Sequence, residues 1–369
     1  MLKFLQKMIL AVCCWVLITT TSHATEVMTF GQALKPGENG LPPPLEKPLY
    51  ISVCLFDILG KNGDIYSRAK DLTLLARRWN VFVDIQQVFT DERITAENFK
   101  AGQCDAAGIS TLRARQFNQF IGSIDAVGAV PSYAHMRTVL HTLLEPKVIP
   151  LSITEPYQIV GVMPIGALYV MVRDRSINSI EKAAGKKIAV LDWDKSQAKM
   201  VQKLGAQPIA SDITNFAGKF NNGQVDIIAA PAIAFKAMEL YRGLGDTGAI
   251  YNFPLAQITG SLVINREKIR AKLPDLDQKI MSLREVGVQF LDKVLDQMFA
   301  FIDKEEAAIP AKYWMKIPEQ DYAKYNQMMR EARILMTKDG VYDPRMMKLL
   351  KKVRCKHEPS LAECSTNDE

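Results

Sequence analysis

Residues 187–197, KIAVLDWDKSQ, run from an apolar strand into two carboxylates, Asp192 and Asp194, that flank the indole of Trp193. Carboxylates beside an aromatic face suit an ammonium group, which gains both ion pairing and cation–π attraction. The same residues have structural roles open to them. Asp192 or Asp194 can cap the helical pattern that follows, and Trp193 can pack between two layers. The Asp-x-Asp spacing also matches the metal and nucleotide-sugar motif of some glycosyltransferases, although two carboxylates alone carry little weight.

Other reactive residues form no constellation. Gly243, Gly245 and Gly248 fit the G-x-G-x-x-G spacing of a dinucleotide loop, but a helical pattern precedes them where a strand is required. They read as a helix stop with Gly243 at the left-handed cap. His135 and His141 stand six apart, whereas two ligands on one helical face need a spacing of three or four, so they do not suggest a zinc site. There is no G-x-S-x-G elbow. No catalytic residue, cofactor or metal site is expected, and a hydrolase or transferase using Asp192 or Asp194 is the enzymatic alternative.

The chemistry must occur where the chain is delivered. Lys3 and Lys7, an apolar run from Met8 to Ile18 and the small residues Ser22 and Ala24 around His23 form an export leader ending at residue 24. The run is too short to span a bilayer, which takes roughly 20 residues. The expected mature chain is therefore exported to the periplasm and not membrane-spanning. Removal of residues 1–24 takes away two lysines and leaves 44 basic against 40 acidic side chains, too mild a balance for a nucleic-acid binder. Cys13 and Cys14 leave with the leader; Cys54, Cys104, Cys355 and Cys364 remain, an even set in an oxidising compartment. Of three connectivities, Cys54–Cys104 would join two early strands and Cys355–Cys364 would staple a polar tail to the last helix. Free buried thiols at Cys54 and Cys104 are the alternative.

These residues sit on an alternating pattern. A Pro- and Gly-rich arm (25–48) leads to strands at 49–57, 81–88 and 103–110, with helical patterns at 65–79, 91–101 and 113–120 between and after them. After an irregular crossing around 146–165, strands at 167–173, 186–191, 225–230 and 256–265 alternate with further helical patterns. From residue 275 to 306 an apolar stripe at helical spacing begins a helical C-terminal region. Strands separated by helices argue for parallel sheets covered on both faces.

The order of segments adds a family. ITAENFKAGQCDAAGIS, AVPSYAHMRTVLHTLL, SINSIEKAAGKKIAV, KLGAQPIASDITNFAGKFNNGQVDIIAAP and SLVINREKIRAKLPDLDQKI together resemble the periplasmic solute-binding subunit of TRAP transporters, over about two thirds of the mature chain. A closer likeness is to the AdeT-type proteins labelled as components of RND drug efflux. That gives an accessory efflux role as an alternative, although heptads for an adaptor coiled coil are absent. The TRAP resemblance implies a type II periplasmic-binding fold of two α/β lobes with a hinge. Lobe 1 would take residues 49–165 and lobe 2 residues 166–255. Residues 256–354 would complete lobe 1 with a return strand, a brace helix and C-terminal helices, and 355–369 would form a polar tail. It also implies a small-molecule solute captured between the lobes for separately encoded membrane transporter subunits.

Ligands of open α/β sheets lie outside the carboxyl ends of strands. That rule nominates Asp57, Ser110, Thr111, Arg113, Arg173, Asp192, Trp193, Asp194 and Pro231 as the lining. Arg173 and Arg113 have surface roles as alternatives. The family usually places an arginine near the end of the G-x-K-x-R strand, and here GKKIA puts Ala189 there. With three acids nominated and that arginine missing, the expected preference is for an amine-bearing solute over a simple carboxylate.

Overall fold

The computed structural model describes residues 34–369, the side chain of Gln320 aside, so the leader falls outside the described residues. One half of the molecule is built on β1 (Leu49–Phe56), which pairs in parallel with both β2 (Val81–Phe89) and β3 (Ala106–Ser110). Between them lie α1 (Asp64–Ala76) and α2 (Glu92–Lys100). Asp91 starts α2 by accepting the N–H groups of Arg93 and Ile94, a cap worth about 1 kcal/mol. Beyond β3 come the short α3 (Thr111–Ala114) and α4 (Tyr133–Leu143). Residues 34–48 of the arm that precedes β1 form no helix or strand and are tied down at the backbone. Arg78 donates to the Leu34 carbonyl, Trp79 Nε1 to that of Pro42 and Asn80 Nδ2 to that of Leu45.

After the two-residue β4 (Ile153–Thr154), the 16-residue β5 (Tyr157–Val172) carries the chain into the second half. There β6 (Lys187–Leu191) runs parallel to β7 (Gln207–Ser211) and β8 (Ile227–Pro231), with α5 (Lys195–Lys203) after β6 and α6 (Ala232–Ala237) after β8. The 17-residue β9 (Ala249–Asn265) then returns to the first half. Its end, from Gly260 to Ile264, pairs antiparallel with β3, while its beginning, from Ala249, pairs with the part of β5 that also holds β8. Both long strands thus belong to both halves, and the sheet order is β2-β1-β3-β9-β5-β8-β6-β7.

The crossing is irregular inside these strands rather than between elements. The β5–β9 register shifts between Pro164 and Gly166, where Gly166 has φ of +136°. This corrects the sequence expectation of a loop before residue 167. Gly161, Pro164 and Gly166 break the period-two pattern, yet bulges absorb them without ending the strand. For similar reasons β9 starts at Ala249 rather than 256, with Pro254 inside it. β7 was not anticipated; Pro208 hides it, and it is tolerated because β7 is an edge strand. The helix stop also moves by one glycine: Gly245, not Gly243, takes the positive φ, and Gly243 is buried within a helical turn.

The 32-residue α7 (Leu276–Ala307) crosses behind both halves. Its Leu295, Phe299 and Ile302 enter the core of the first, and Ile309, just beyond its end, enters that of the second. Ile302 lies against the hinge, since a Cβ on Gly166 would stand 3.2 Å from it. Glu306 accepts the hydroxyls of Tyr133 on α4, at 2.7 Å, and Tyr169 on β5, at 2.9 Å. β10 (Trp314–Met315) pairs with β9, and α8 (Glu319–Lys338) and α9 (Pro344–His357) close the chain. Cys54 is bonded to Cys104 and Cys355 to Cys364. The second bond folds the tail back so that Glu363 accepts from both Arg354 and Arg333, all three buried. Those two arginines donate in turn to the carbonyls of Ala129 and Val127.

Candidate functional site

The carboxyl ends of β3 and β6 face each other from the two halves. On the first side, Ser110 caps α3 through its Oγ, which accepts the N–H of Arg113 at 3.1 Å. Glu92, at the start of α2, accepts the N–H of Ser110 at 2.6 Å and lies 3.7 Å from the Nε of Arg113. Burial raises the pKa of Glu92, with the Ser110 bond and Arg113 opposing the shift. The Arg113 Nε is buried without a hydrogen-bond partner.

On the second side the end of β6 presents Asp192, Trp193 and Asp194. The guanidinium carbon of Arg113 lies 4.1 Å from the centre of the Trp193 ring, within the range of a cation–π contact. Two residues on, Arg115 donates to Asp194 Oδ2 at 2.8 Å, with both side chains nearly buried. Asp194 also caps α5, accepting the N–H of Ser196 at 3.0 Å and its hydroxyl. At this corner two contacts join the halves, each made by an arginine of the first and a residue of the LDWD corner of the second.

The nominated residues divide by position. Ser110, Thr111, Arg113, Trp193 and Asp194 come together at this junction. Thr111 is fully buried and bonded to Thr259 and Ser261 of β9. Asp192 is exposed, its N–H donating to Ser211. Pro231 ends β8 and starts α6, opposite Leu168 of β5. Asp57 sits at the end of β1 but is buried and occupied, since its carboxylate accepts the N–H groups of Leu59 and Tyr66. Arg173 is displaced altogether. β5 runs antiparallel to β8, so the residue after Val172 lies beside the start of β8 near Asp226, at the opposite end of the sheet from Pro231. The strand-end rule nominates the carboxyl end of a strand whatever its direction, and the antiparallel sense of β5 reverses which end that is.

Four residues of the junction were not nominated: Glu92, Arg115, Asp125 and Thr259. Asp125 is buried, and its carboxylate accepts the N–H of Thr259 at 3.1 Å and its hydroxyl at 2.7 Å. Its signal was available as one acid inside the apolar run from Phe120 to Val130. Gln257, Thr259 and Ser261 form a buried polar row at period two on β9, a second signal.

The family model described as solute-binding protein AdeT 1/2 matches residues 74–369. The chain belongs to this family. It is 45% identical over 315 residues to the probable solute-binding protein AdeT1 of Acinetobacter baumannii, covering 85% of this chain and all of that one. Among solved structures it resembles the TRAP periplasmic solute-binding protein of Desulfovibrio desulfuricans with bound sn-glycerol-3-phosphate. That match has a TM-score of 0.66 and 14% identity, over 86% of this chain and 100% of that one. A second match, to the TRAP protein of Desulfovibrio salexigens with bound orotic acid, has a TM-score of 0.63 and 14% identity, over 83% and 99% of the two chains. The AdeT 1/2 chain described here therefore has the two-lobe fold of those binders. Among its described residues, no helix is long and apolar enough to cross a membrane, and no group of three or more His, Cys, Asp or Glu side chains is placed to hold a metal ion.

Proposed function

We propose that this AdeT 1/2 protein works without catalysis in the periplasm, capturing a small solute between its lobes and presenting it to separately encoded membrane subunits of a TRAP-like transporter. The observation that carries this reading is the junction itself, where Arg113 and Arg115 of one lobe meet Trp193 and Asp194 of the other across a hinge made of two continuous strands. Groups that touch only when the lobes meet are placed to sense what lies between them.

The favoured solute is a small acid or phosphate ester. The three acids that pointed to an amine are engaged or remote: Asp57 is held by backbone N–H groups and Asp194 by Arg115 and Ser196, while Asp192 faces solvent. Arg113 instead stacks on Trp193, and its Nε makes no hydrogen bond, with Glu92 the nearest carboxylate at 3.7 Å. The two solved relatives described above hold an acid and a phosphate ester. One observation favours the amine as a second reading: Ala189 leaves β6 without the family's arginine.

Calorimetry with matched pairs, an organic acid against an amine of similar size, separates the two. The acid should bind and lose about one to two decades of affinity in Arg113→Ala, the equivalent of a charge-assisted contact of roughly 1.5–3 kcal/mol. Tight amine binding that Asp192→Asn abolishes would establish the second reading instead. Conversion of a bound compound into product would end the non-catalytic reading.

A further inference from the structure

Thr259 is drawn into two short hydroxyl contacts at once, to Asp125 Oδ1 and to Thr111 Oγ1, each at 2.7 Å, and Thr111 continues to Ser261 Oγ at 2.6 Å. A hydroxyl has one proton, so Thr259 can donate to only one of its two neighbours and must accept from the other. Two complete arrangements fit the same heavy atoms. With Asp125 ionised, Thr259 donates to it, Thr111 donates to Thr259 and Ser261 donates to Thr111. With Asp125 protonated, the acid donates to Thr259, Thr259 to Thr111 and Thr111 to Ser261, which frees the hydrogen of Ser261. The whole row turns over when one proton arrives, and Thr111, Thr259 and Ser261 are all buried from competing water.

The row lies at the hinge. Thr259 faces Pro164, next to the register shift of β5. The segment that carries Asp125 also holds β9 on the other side of the shift, where the Gly128 N–H donates to the Leu255 carbonyl at 2.8 Å. The charged groups around Asp125 are Arg115, which bridges to Asp194 of the second lobe, and Glu92, which holds Ser110 and neighbours Arg113. Asp125 thus faces both arms of the junction that closes the lobes.

We infer that Asp125, Thr259, Thr111 and Ser261 form a reversible hydroxyl chain that makes lobe closure respond to proton uptake. This rests on the lobe-closing reading above and adds a regulator to it. Burial pushes the Asp125 carboxyl up to about 7; Glu92 adds to the rise, and the Thr259 bonds and Arg115 oppose it. A carboxyl raised on folding stabilises the fold below its unfolded value of 3.8, and that contribution is lost as pH climbs through about 7.

The test follows melting temperature and Trp193 emission between pH 5 and 8.5, the emission taken as the difference between the protein and its Trp193→Phe variant. The emission should step near pH 7, while the melting temperature should fall from pH 5 towards pH 7 and level off above it. Asp125→Asn, an amide that donates to Thr259 as the neutral acid does, should remove both the emission step and the fall in melting temperature and melt above the parent at pH 8. Thr259→Val keeps the backbone bond to Asp125 but cuts the chain and removes a bond that holds the carboxyl down, so the fall in melting temperature should persist and extend to higher pH while the emission step vanishes. A step that survives Asp125→Asn, an emission step that survives Thr259→Val, or flat Trp193 emission in the parent would each overturn the proposal. Solute capture would stand or fall separately, by the calorimetry.

Discussion

Arg354 makes two kinds of contact from one buried site. It pairs with Glu363 through Nε and Nη2 and donates through Nη1 to the Ala129 carbonyl at 2.9 Å. Arg333 does the same for Val127, so two guanidiniums tie the segment that reaches the hinge to the disulfide-closed tail. Arg354→Met should cost about 3 kcal/mol in urea unfolding, because it leaves one buried carbonyl unpaired and removes one of the three arginines that face Glu363. A loss under about 1 kcal/mol would mean that Arg333 alone satisfies the tail. Arg354 and Arg333 look like ordinary surface residues in a sequence, since nothing local marks a helical arginine for burial. Asp194 was legible as a cap because its partner Ser196 is two residues away, whereas its other partner, Arg115, is separated from it by most of a lobe.

At the scale of elements, spacing identified most helices and strands, and the missed stretches of strand share one cause. Pro164, Gly166, Pro208 and Pro254 all sit inside strands, where pattern alone reads them as breaks. Only the pairing of distant segments explains why they are tolerated. Gly166 is the most exacting of them. Its φ of +136° disfavours any side chain, and an added methyl would press on Ile302 of α7. Gly166→Ala should therefore lower stability by about 1–3 kcal/mol, read as a fall in melting temperature; an unchanged value would show that β5 has room to shift there. The Cys54–Cys104 bond is the opposite kind of feature, one that counting cysteines made legible. It closes a loop of 50 residues between β1 and the start of β3. Replacing Cys54 and Cys104 by serine should cost about 2–4 kcal/mol, checked by thermal unfolding against the oxidised parent, with the reduced parent, which also lacks the Cys355–Cys364 bond, alongside. A larger loss in the serine variant than on reduction would assign part of the effect to packing.

For the molecule as a whole, the junction and the hinge act on one coordinate. Asp194→Asn keeps the cap on α5 but weakens the bond to Arg115 across the lobes. The expected result is a larger radius of gyration in small-angle scattering with little change in melting temperature. A large drop in melting temperature at constant radius would instead make the pair part of a fixed core. The sequence carried the two-lobe plan through the order of its segments, and it carried the LDWD corner through composition. It did not carry which side of the corner meets the other lobe, because that depends on the antiparallel sense of β5 and β9, set only when both strands are in place.

Those two strands also impose an order of assembly. β3 borders β9, its partner about 150 residues later, so the first lobe lacks its inner strand until the chain beyond residue 260 has been made. The second lobe can close most of its sheet as soon as β8 is available, since β6, β7, β8 and the far part of β5 lie together in sequence. A nascent or truncated chain ending near residue 255 would then carry a nearly finished second lobe beside an open strand edge on β3. Such an edge is a template for pairing with another chain, and pairing at this sequence distance is slow to form. Chaperone dependence during synthesis, and aggregation of chains that stop short of β9, follow from the same two-strand connection that joins the finished lobes.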